Sequence, residues 1–461
     1  MRSFFRIYWI FSMLLLIGCS KKLNREEVKI ILAEDDSVKI ATLDTDEKNV
    51  VKSLTEQITA GIETSDILRS GFSGLIVYDL DDEVVVYERN VDKYFVAASN
   101  TKLFTMYACI KILKDSIPAL KYSETDSSFI FWGTADPTFL HPYFEDTTTL
   151  QFIKKKSINK NITFAENDQL SPYGQGWMWD DYNAYYQVEM SSFPAYGNIL
   201  LVNKDTAGLY AQPLRFFQNS KTDSTIQIIK REQNQNLFNT PSELENFEEF
   251  YQEVPYKNAT LENIKLLEDT LNRAISFQKL AYDSSTQTLY SWPADTVIRR
   301  MMQISDNMLS DHLLLSAGLE MLDTLSMSQT IKWANQNLFK DMPQKLVWVD
   351  GSGLSRYNRF TPASILHLLK KMNKEIPQAQ LLSLMAVGGG NGTLSDLYLA
   401  KEQYVFGKTG SMTGVYNLSG YLITEKGKKL AFSFLNNNFL GKASLAGKEV
   451  ETILKMIRTQ Y

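Results

Sequence analysis

The 461-residue sequence is poor in the residues that most often carry metal or general-base chemistry, with three histidines and two cysteines. His141, His312 and His367 are widely separated and form no H-E-x-x-H motif, which argues against a zinc peptidase. No serine stands in a G-x-S-x-G motif, which argues against a Ser-His-Asp hydrolase of that type. We therefore expect neither a metal site nor a cofactor.

The sequence also lacks an excess of positive charge. Its formal net charge is −5 at pH 7, so we expect no nucleic-acid partner. The two cysteines are Cys19 and Cys109, and if Cys19 is lipidated no intrachain disulfide is possible. Cys109 has apolar neighbours and is interpreted as an inert core thiol.

One apolar run, at 7–17, is too short to cross a membrane as a stable helix. It follows two arginines and ends at Gly18-Cys19, so residues 1–19 are interpreted as a lipoprotein signal peptide with lipidation of Cys19. An ordinary signal peptide and an uncleaved anchor are the alternatives. All three predict export, and we expect a periplasmic or cell-envelope protein held at a membrane by a lipid anchor.

Three short motifs carry chemistry: Ser99-Asn100-Thr101-Lys102, Ser305-Asp306-Asn307 and Lys408-Thr409-Gly410. In this order they resemble the S-x-x-K, S-x-N and K-T-G motifs of penicillin-binding proteins and serine β-lactamases. Each is weak alone, since a serine before an apolar helix is also a common N-cap. A second S-x-x-K match at 157–160 lies in a polar stretch, whereas an apolar helical pattern follows Ser99.

The motifs supply what a serine nucleophile needs. Lys102 lies on the helix face of Ser99 and can act as its base if its pKa falls, which a second cation, Lys408, would favour. Ser305 can relay a proton to the leaving amine, and Asn307 can hold Lys102. We expect Asp306, between them, to point away and to be structural.

The third motif extends to Ser411. The charge of Lys408 and the hydroxyls of Thr409 and Ser411 suit a substrate carboxylate. Gly410 leaves room for the substrate to lie along the strand edge as an added strand.

Longer stretches at 133–137, 177–181, 350–356, 407–411 and 415–421 make the resemblance more specific. The chain is similar, from about 70 to 440, to the low-molecular-mass penicillin-binding proteins of the D-alanyl-D-alanine carboxypeptidase/endopeptidase family with an inserted domain, peptidase family S13. This resemblance implies an α+β, multi-domain, transpeptidase-like fold shared with serine β-lactamases. Such a fold has an antiparallel sheet flanked by helices and, in this family, an inserted β-rich domain.

The resemblance also implies roles for single residues. The N–H groups of Ser99 and Ser411 would form the oxyanion hole. Asp181, Tyr186 and Arg356 would form the pocket for the stem-peptide side chain, and this set suits a zwitterionic amino-acid terminus. The implied partners are peptidoglycan stem peptides, with β-lactam antibiotics as covalent inhibitors.

From texture and resemblance together we expect a tether at 20–50, a first transpeptidase-like part at 51–119, an inserted domain at 120–265 and a second part at 266–461. The expected function is that of a serine-type D-Ala-D-Ala carboxypeptidase, and also a DD-endopeptidase, acting through an acyl-serine intermediate. The alternatives are a β-lactamase or esterase on the same scaffold, and an inactive wall-binding lipoprotein. The sequence does not fix the balance between carboxypeptidase and endopeptidase activity.

Overall fold

A computed structural model describes residues 45–145, 147–167 and 170–461. The predicted signal peptide, Cys19 and the tether up to residue 44 lie outside the described residues. Residues 45–50, assigned to the tether on sequence, are helical. No helix within the described ranges combines the length and the apolar character needed to cross a bilayer.

The helices of the described ranges are named here in chain order. They are α1 (Thr45–Thr64), α2 (Asp66–Ser70), α3 (Lys102–Leu113), α4 (Thr148–Lys156), α5 (Leu214–Gln218), α6 (Ala259–Leu271), α7 (Ala294–Ile304), α8 (Asn307–Leu322), α9 (Met327–Asn337), α10 (Pro362–Glu375), α11 (Gln378–Leu384) and α12 (Ala443–Gln460). Short 3₁₀ turns occur at Ala98–Thr101, Trp179–Asp181, Tyr196–Asn198, Leu244–Asn246 and Gly392–Leu394.

The strands are named in the same way. They are β1 (Phe72–Asp79), β2 (Val84–Arg89), β3 (Phe95–Val96), β4 (Ser116–Glu124), β5 (Ser128–Gly133), β6 (Asn161–Glu166), β7 (Ile199–Asp205), β8 (Gly208–Gln212), β9 (Lys221–Asp223), β10 (Lys230–Arg231), β11 (Phe238–Pro241), β12 (Phe250–Pro255), β13 (Ile275–Lys279), β14 (Gln287–Pro293), β15 (Arg359–Phe360), β16 (Ala386–Val387), β17 (Val405–Met412), β18 (Val415–Ile423) and β19 (Lys429–Asn437).

A six-stranded sheet organises the catalytic part, in the order β16-β17-β18-β19-β1-β2. Every neighbouring pair in it is antiparallel. β1 is almost continuously apolar because both of its faces are covered: Leu75 and Val77 pack in one core, and Ile76 and Tyr78 in the other. The predicted antiparallel sheet is confirmed, and β1 and β2 form a hairpin within it.

Helices cover both faces of this sheet. On one face α1 and α12 pack with apolar residues at helical spacing, as in the series Val450, Ile453, Leu454 and Ile457. On the other face lies the larger core, which includes α3, α7, α8 and α10. α3 is buried on nearly all sides, which explains why its sequence is mostly apolar rather than amphipathic.

Between α3 and α7 the chain builds β-rich structure, as the predicted insertion requires. A five-stranded sheet has the order β13-β6-β5-β4-β14, and two three-stranded sheets have the orders β12-β7-β8 and β10-β11-β9. Aromatic rings fill the core against the five-stranded sheet, where Phe131 contacts Phe129, Phe164 and Phe193. β13 and β14 lie past residue 265, so this sheet also recruits strands from beyond the boundary expected for the insertion.

The three motifs lie on three separate elements around the six-stranded sheet and the helices that cover it. Ser99 lies in the 3₁₀ turn before α3, and Lys408 lies on β17. Ser305 separates α7 from α8, with a left-handed φ of 65°. The segments on both sides of Ser305 are helical, and its left-handed backbone conformation ends α7 before α8 begins at Asn307.

Candidate active site

The turn that presents Ser99 is held from two sides. Ala98 has a left-handed φ of 47°, which is unfavourable for a residue with a side chain. A Cβ on Gly353, which has a φ of 84°, would meet the Ala98 carbonyl oxygen at 1.9 Å. A Cβ on Gly410 would meet Ala97 O at 2.8 Å and Ser99 N at 3.0 Å. The missing side chain of Gly410 therefore makes room for the Ser99 turn, and the role of Gly410 beside a substrate strand stays a prediction.

Lys102 is fully buried directly behind Ser99. Its Nζ atom donates to Ser99 Oγ at 3.1 Å, to Asn307 Oδ1 at 2.6 Å and to the carbonyl oxygen of Ser352 at 2.7 Å. These three acceptors match the three protons of an ammonium group. Loss of one proton leaves a lone pair that can face the Ser99 hydroxyl, the geometry a general base requires.

The pKa of Lys102 is lowered to about 8, and the cause is burial, which penalises the charged form. The carboxylates of Asp311, Asp306 and Asp350 act in the opposite direction. Burial and then the charge of Lys102 hold the pKa of Lys408 well below its usual value. The fall in the Lys102 pKa that a general base requires is present, and burial is its largest cause.

Lys408 and Ser305 form a second lysine–serine pair. Lys408 Nζ donates to Ser305 Oγ at 2.8 Å and to the carbonyl oxygen of Thr409 at 2.8 Å. Asn100 Nδ2 donates to the carbonyl oxygen of Lys408 at 2.9 Å and so ties β17 to the Ser99 turn. The Asn100 side chain therefore links the S-x-x-K motif to the K-T-G motif through a hydrogen bond.

Asn307 joins the catalytic cluster to the inserted chain. Its Oδ1 accepts from Lys102, and its Nδ2 donates to the carbonyl oxygen of Tyr186 at 2.9 Å. Asp306 caps α8 by accepting from the N–H of Leu309 at 2.9 Å, which agrees with the expected structural role. Asp306 also lines the cleft in front of Ser99, which the sequence analysis did not foresee.

A cleft of about 1080 Å³ lies in front of Ser99. The residues selected from sequence that line it are Ser99, Ser305, Asn307, Thr409, Ser411, Asp181, Tyr186 and Arg356. Lys102 and Lys408 lie buried behind the serines with which they form hydrogen bonds. The structure thus brings the selected residues together at one site, although they come from distant parts of the chain.

Asp181, Tyr186 and Arg356 form one side of this cleft. Burial raises the pKa of the Tyr186 hydroxyl, and the charge of Asp181 and a hydrogen bond to it add to the effect. Arg356 donates from Nη2 to the carbonyl oxygen of Thr413 at 3.2 Å. Thr409 Oγ1 donates to Thr393 Oγ1 at 2.7 Å. Thr393 also lines the cleft and was not selected from the sequence.

The support of Lys102 was not identified from sequence. Asp311, buried on α8, accepts from the N–H groups of Gly351 at 2.8 Å and Ser352 at 3.0 Å, and so fixes the carbonyl that holds Lys102. Burial and then the charge of Asp350 raise the pKa of the Asp311 carboxyl group. An acidic residue four positions after Asn307, in a largely apolar helix, was the available signal.

The competing S-x-x-K match has a different environment. Ser157 is buried at the end of α4 and donates to the carbonyl oxygen of Lys154 at 3.4 Å. Lys160 pairs with Glu124 at 2.8 Å instead of with Ser157. These contacts are structural and support the choice of Ser99.

Comparison with known sequences agrees with this geometry. The chain matches the model of the D-Ala-D-Ala carboxypeptidase 3 (S13) family over residues 54–232 and 260–461. D-alanyl-D-alanine carboxypeptidase DacB of Haemophilus influenzae is 23% identical over 421 residues, 80% of this chain and 86% of that protein. The D-alanyl-D-alanine carboxypeptidase of an Actinomadura species is 42% identical over 109 residues, 22% of this chain and 20% of that protein.

Solved structures show the same fold. The crystal structure of penicillin-binding protein 4 (dacB) from Haemophilus influenzae gives a TM-score of 0.70 at 18% identity, covering 88% of this chain and 99% of that chain. The same protein complexed with a novel β-lactam gives a TM-score of 0.67, also at 18% identity and with the same coverage. The predicted penicillin-binding-protein fold is confirmed. Since the family model covers most of the sequence, the chain belongs to the D-Ala-D-Ala carboxypeptidase 3 (S13) family of serine-type peptidases.

Proposed function

We propose that this enzyme cleaves D-Ala-D-Ala termini of peptidoglycan stem peptides through an acyl-Ser99 intermediate, and that β-lactams acylate the same hydroxyl group. One observation carries the proposal. The Nζ atom of Lys102, buried and with a lowered pKa, lies 3.1 Å from Ser99 Oγ at the floor of an open cleft. A lysine in this position can take the proton of the serine hydroxyl group, as a histidine does in serine peptidases with a Ser-His-Asp triad.

The proposed acylation follows from these contacts. Neutral Lys102 takes the Ser99 proton as Oγ attacks the carbonyl carbon of the penultimate D-Ala, and a tetrahedral oxyanion forms. The N–H groups of Ser99 and Ser411 would stabilise that oxyanion. The C–N bond then breaks, the leaving amine takes a proton through Ser305, and D-Ala departs. A water molecule then gives a proton to Lys102 as its oxygen adds to the acyl-Ser99 carbonyl carbon. The C–Oγ bond breaks, Ser99 Oγ takes that proton back from Lys102, and the shortened peptide leaves with a new carboxylate.

Two groups of residues would orient the substrate. Thr409 and Ser411 offer hydroxyl groups to the terminal carboxylate, with the charge of Lys408 behind them. Asp181, Tyr186 and Arg356 would bind the zwitterionic end of the stem-peptide side chain, for which an acid and a guanidinium are complementary. Gly410 supports this arrangement by allowing β17 to approach the Ser99 turn.

The first test is covalent labelling with fluorescent penicillin. We expect one label on the wild-type protein and none on Ser99→Ala, with Ser157→Ala as the matched control because it removes the serine of the competing motif. Release of D-Ala from a pentapeptide should follow the same pattern. Labelling retained in Ser99→Ala would contradict the proposal. Rapid hydrolysis of nitrocefin with release of the adduct would favour the β-lactamase alternative.

Cleavage of cross-links is the second part of the proposed activity. The cleft is broad enough to admit more than a terminal dipeptide, and its walls come from both the catalytic part and the inserted chain. Digestion of isolated peptidoglycan should convert cross-linked dimers into monomers. Loss of terminal D-Ala with dimers left intact would restrict the enzyme to carboxypeptidase activity.

The location of the enzyme is also a proposal. The apolar run at 7–17 and Gly18-Cys19 support export, lipidation of Cys19 and retention at a membrane in the cell envelope. The inserted domain at 120–265 stays a prediction, and the chain between α3 and α7 carries Asp181 and Tyr186 to the cleft. We expect Cys19→Ala to abolish incorporation of a labelled fatty acid and to release the protein from membranes. Membrane retention unchanged in this variant would indicate an uncleaved anchor.

A further inference from the structure

The cleft extends past Ser305 to a polar group that the proposed mechanism does not use. Arg300 on α7, Glu253 on β12 and His141 after β5 line the same cleft as Ser99 and Ser305. None of them belongs to the Asp181, Tyr186 and Arg356 pocket. A charged arginine and a glutamate in an open substrate cleft therefore lack an assigned role.

Arg300 is available to bind a ligand. Its guanidinium carbon lies 3.6 Å from the centroid of the Tyr143 ring, and this stacking fixes the plane of the group. Arg300 Nε is buried without a hydrogen-bond partner, and no carboxylate of the described residues forms an ion pair with this side chain. A planar guanidinium with unused donors has the geometry that binds a carboxylate through two hydrogen bonds.

Glu253 provides the opposite charge nearby. Tyr251 donates a hydrogen bond from its hydroxyl to Glu253 Oε1 at 2.5 Å, which orients the carboxyl group. Burial raises the pKa of Glu253, the charge of Asp306 raises it further, and the charge of Arg300 lowers it. The charge of Arg300 therefore acts on Glu253 although the two side chains form no ion pair among the described residues. Both side chains can therefore contact a bound ligand.

The position of this pair relates it to one side of the reaction. Arg300 and Ile304 lie on the last turns of α7, immediately before Ser305, and all three line the cleft. In the mechanism proposed above, Ser305 delivers the proton to the leaving amine. The pair thus adjoins the end of the cleft through which the leaving group departs.

We propose that Arg300 and Glu253 form a subsite for the leaving peptide of a cross-linked substrate, with Arg300 on a free carboxylate and Glu253 on an amine or amide N–H. This inference rests on the proposed function, because it assigns the leaving side from the role of Ser305. The leaving group of a carboxypeptidase reaction is a single amino acid, which ends at the carboxylate bound by Thr409 and Ser411. The leaving group of a cross-link is a whole peptide with further charged groups, and only that peptide reaches Arg300.

The test compares two substrates in one enzyme. We expect Arg300→Gln to lower the ratio of kcat/KM for a cross-linked muropeptide dimer to that for a pentapeptide monomer by at least about tenfold, the loss expected when a charged hydrogen bond is removed. Glu253→Gln should lower the same ratio. Arg299→Gln is the matched control, because Arg299 is the exposed neighbour on the same helix. An unchanged ratio, or equal losses on both substrates, would overturn the inference.

A binding measurement separates this inference from the proposed function. In a Ser99→Ala background, calorimetry should show that Arg300→Gln weakens binding of the dimer by at least about tenfold and that Arg299→Gln does not. If the wild-type enzyme cleaves neither substrate, the proposed function fails while this measurement still tests the subsite. Equal affinity of the Arg300→Gln and parent proteins for the dimer would overturn the subsite alone.

Discussion

Trp177 donates a hydrogen bond from Nε1 to Oδ2 of Asp350 at 2.9 Å. Asp350 is fully buried and also accepts from the N–H groups of Gly353 and Ser355, both at 2.7 Å. Trp177 belongs to the segment that carries Asp181 and Tyr186, while Asp350 begins the loop whose Ser352 carbonyl holds Lys102. One hydrogen bond therefore connects the wall of the cleft to the loop that holds Lys102.

The Trp177 contact can be tested with Trp177→Phe. This change leaves a buried carboxylate oxygen with one partner fewer, so we expect the free energy of unfolding to fall by about 2 kcal/mol. We also expect KM for a stem peptide to rise more than the rate of penicillin acylation falls, because the pocket wall loses its attachment. Thermal unfolding and steady-state kinetics measure the two effects. Trp179→Phe is the control, since Trp179 is 75% exposed; equal effects of both changes would contradict this role.

The state of Lys102 should appear in the pH dependence of acylation. Lys102 acts as a base only when neutral, and its pKa of about 8 places that transition far below the usual value of 10.5. The second-order rate of penicillin acylation should therefore rise about tenfold per pH unit below the pKa and level off above it. Stopped-flow fluorescence between pH 5 and 10, roughly the range centred on this pKa, records the profile. A flat profile across this range would exclude Lys102 as the base.

Asp311 should set the midpoint of that profile. Its carboxylate opposes the fall in the Lys102 pKa, so Asp311→Asn removes a stabilising negative charge and should move the midpoint to lower pH. Asn can still accept from the Ser352 N–H, which preserves part of the loop geometry. Asp341→Asn, at an exposed acid paired with Lys371, is the control. A lower rate with an unmoved midpoint would indicate a purely structural role for Asp311.

Gly353 and Gly427 offer a matched pair for testing the Ser99 turn. Both have a φ of 84°, but a Cβ on Gly353 would meet Ala98 O at 1.9 Å, whereas a Cβ on Gly427 meets nothing within 4 Å. We expect Gly427→Ala to cost about 1 kcal/mol of stability from backbone strain alone. Gly353→Ala should cost at least about 2 kcal/mol more, since a backbone atom must move. It should also abolish penicillin labelling, and labelling at the wild-type rate would contradict the proposed packing.

The three motifs of the site could be predicted from local sequence patterns. The groups that hold the motif residues in place could not. The motifs at Ser99, Ser305 and Lys408 are visible because each chemistry needs fixed residue types at fixed spacing. The Ser352 carbonyl that holds Lys102 is a backbone group, which no side-chain pattern reveals. Arg300 and Glu253 are 47 positions apart in sequence, and only the tertiary fold brings them to one cleft.

The fold shows the same division between local and distant information. The β-branched and aromatic residues of β1 and β2 and the apolar run of α3 predict those elements because neighbouring residues decide them. β13 pairs with β6, and β14 pairs with β4, although the paired strands are far apart in sequence. No local pattern reveals such pairings. For this reason the inserted domain was expected to end at residue 265, whereas the five-stranded sheet includes strands beyond that residue. The break at Ser305 depends on one left-handed residue inside a sequence that otherwise reads as helical.

The order of the six-stranded sheet has a consequence for when the enzyme becomes active. β1, near the start of the described chain, pairs with β19, and β17 with its Lys408 lies between β16 and β18. The sheet cannot close until residue 437 has been synthesised, and pairings at such sequence separation form slowly. A growing chain therefore carries Ser99 and Lys102 without a working nucleophile. The topology itself keeps the peptidase latent until residue 437 has joined the sheet.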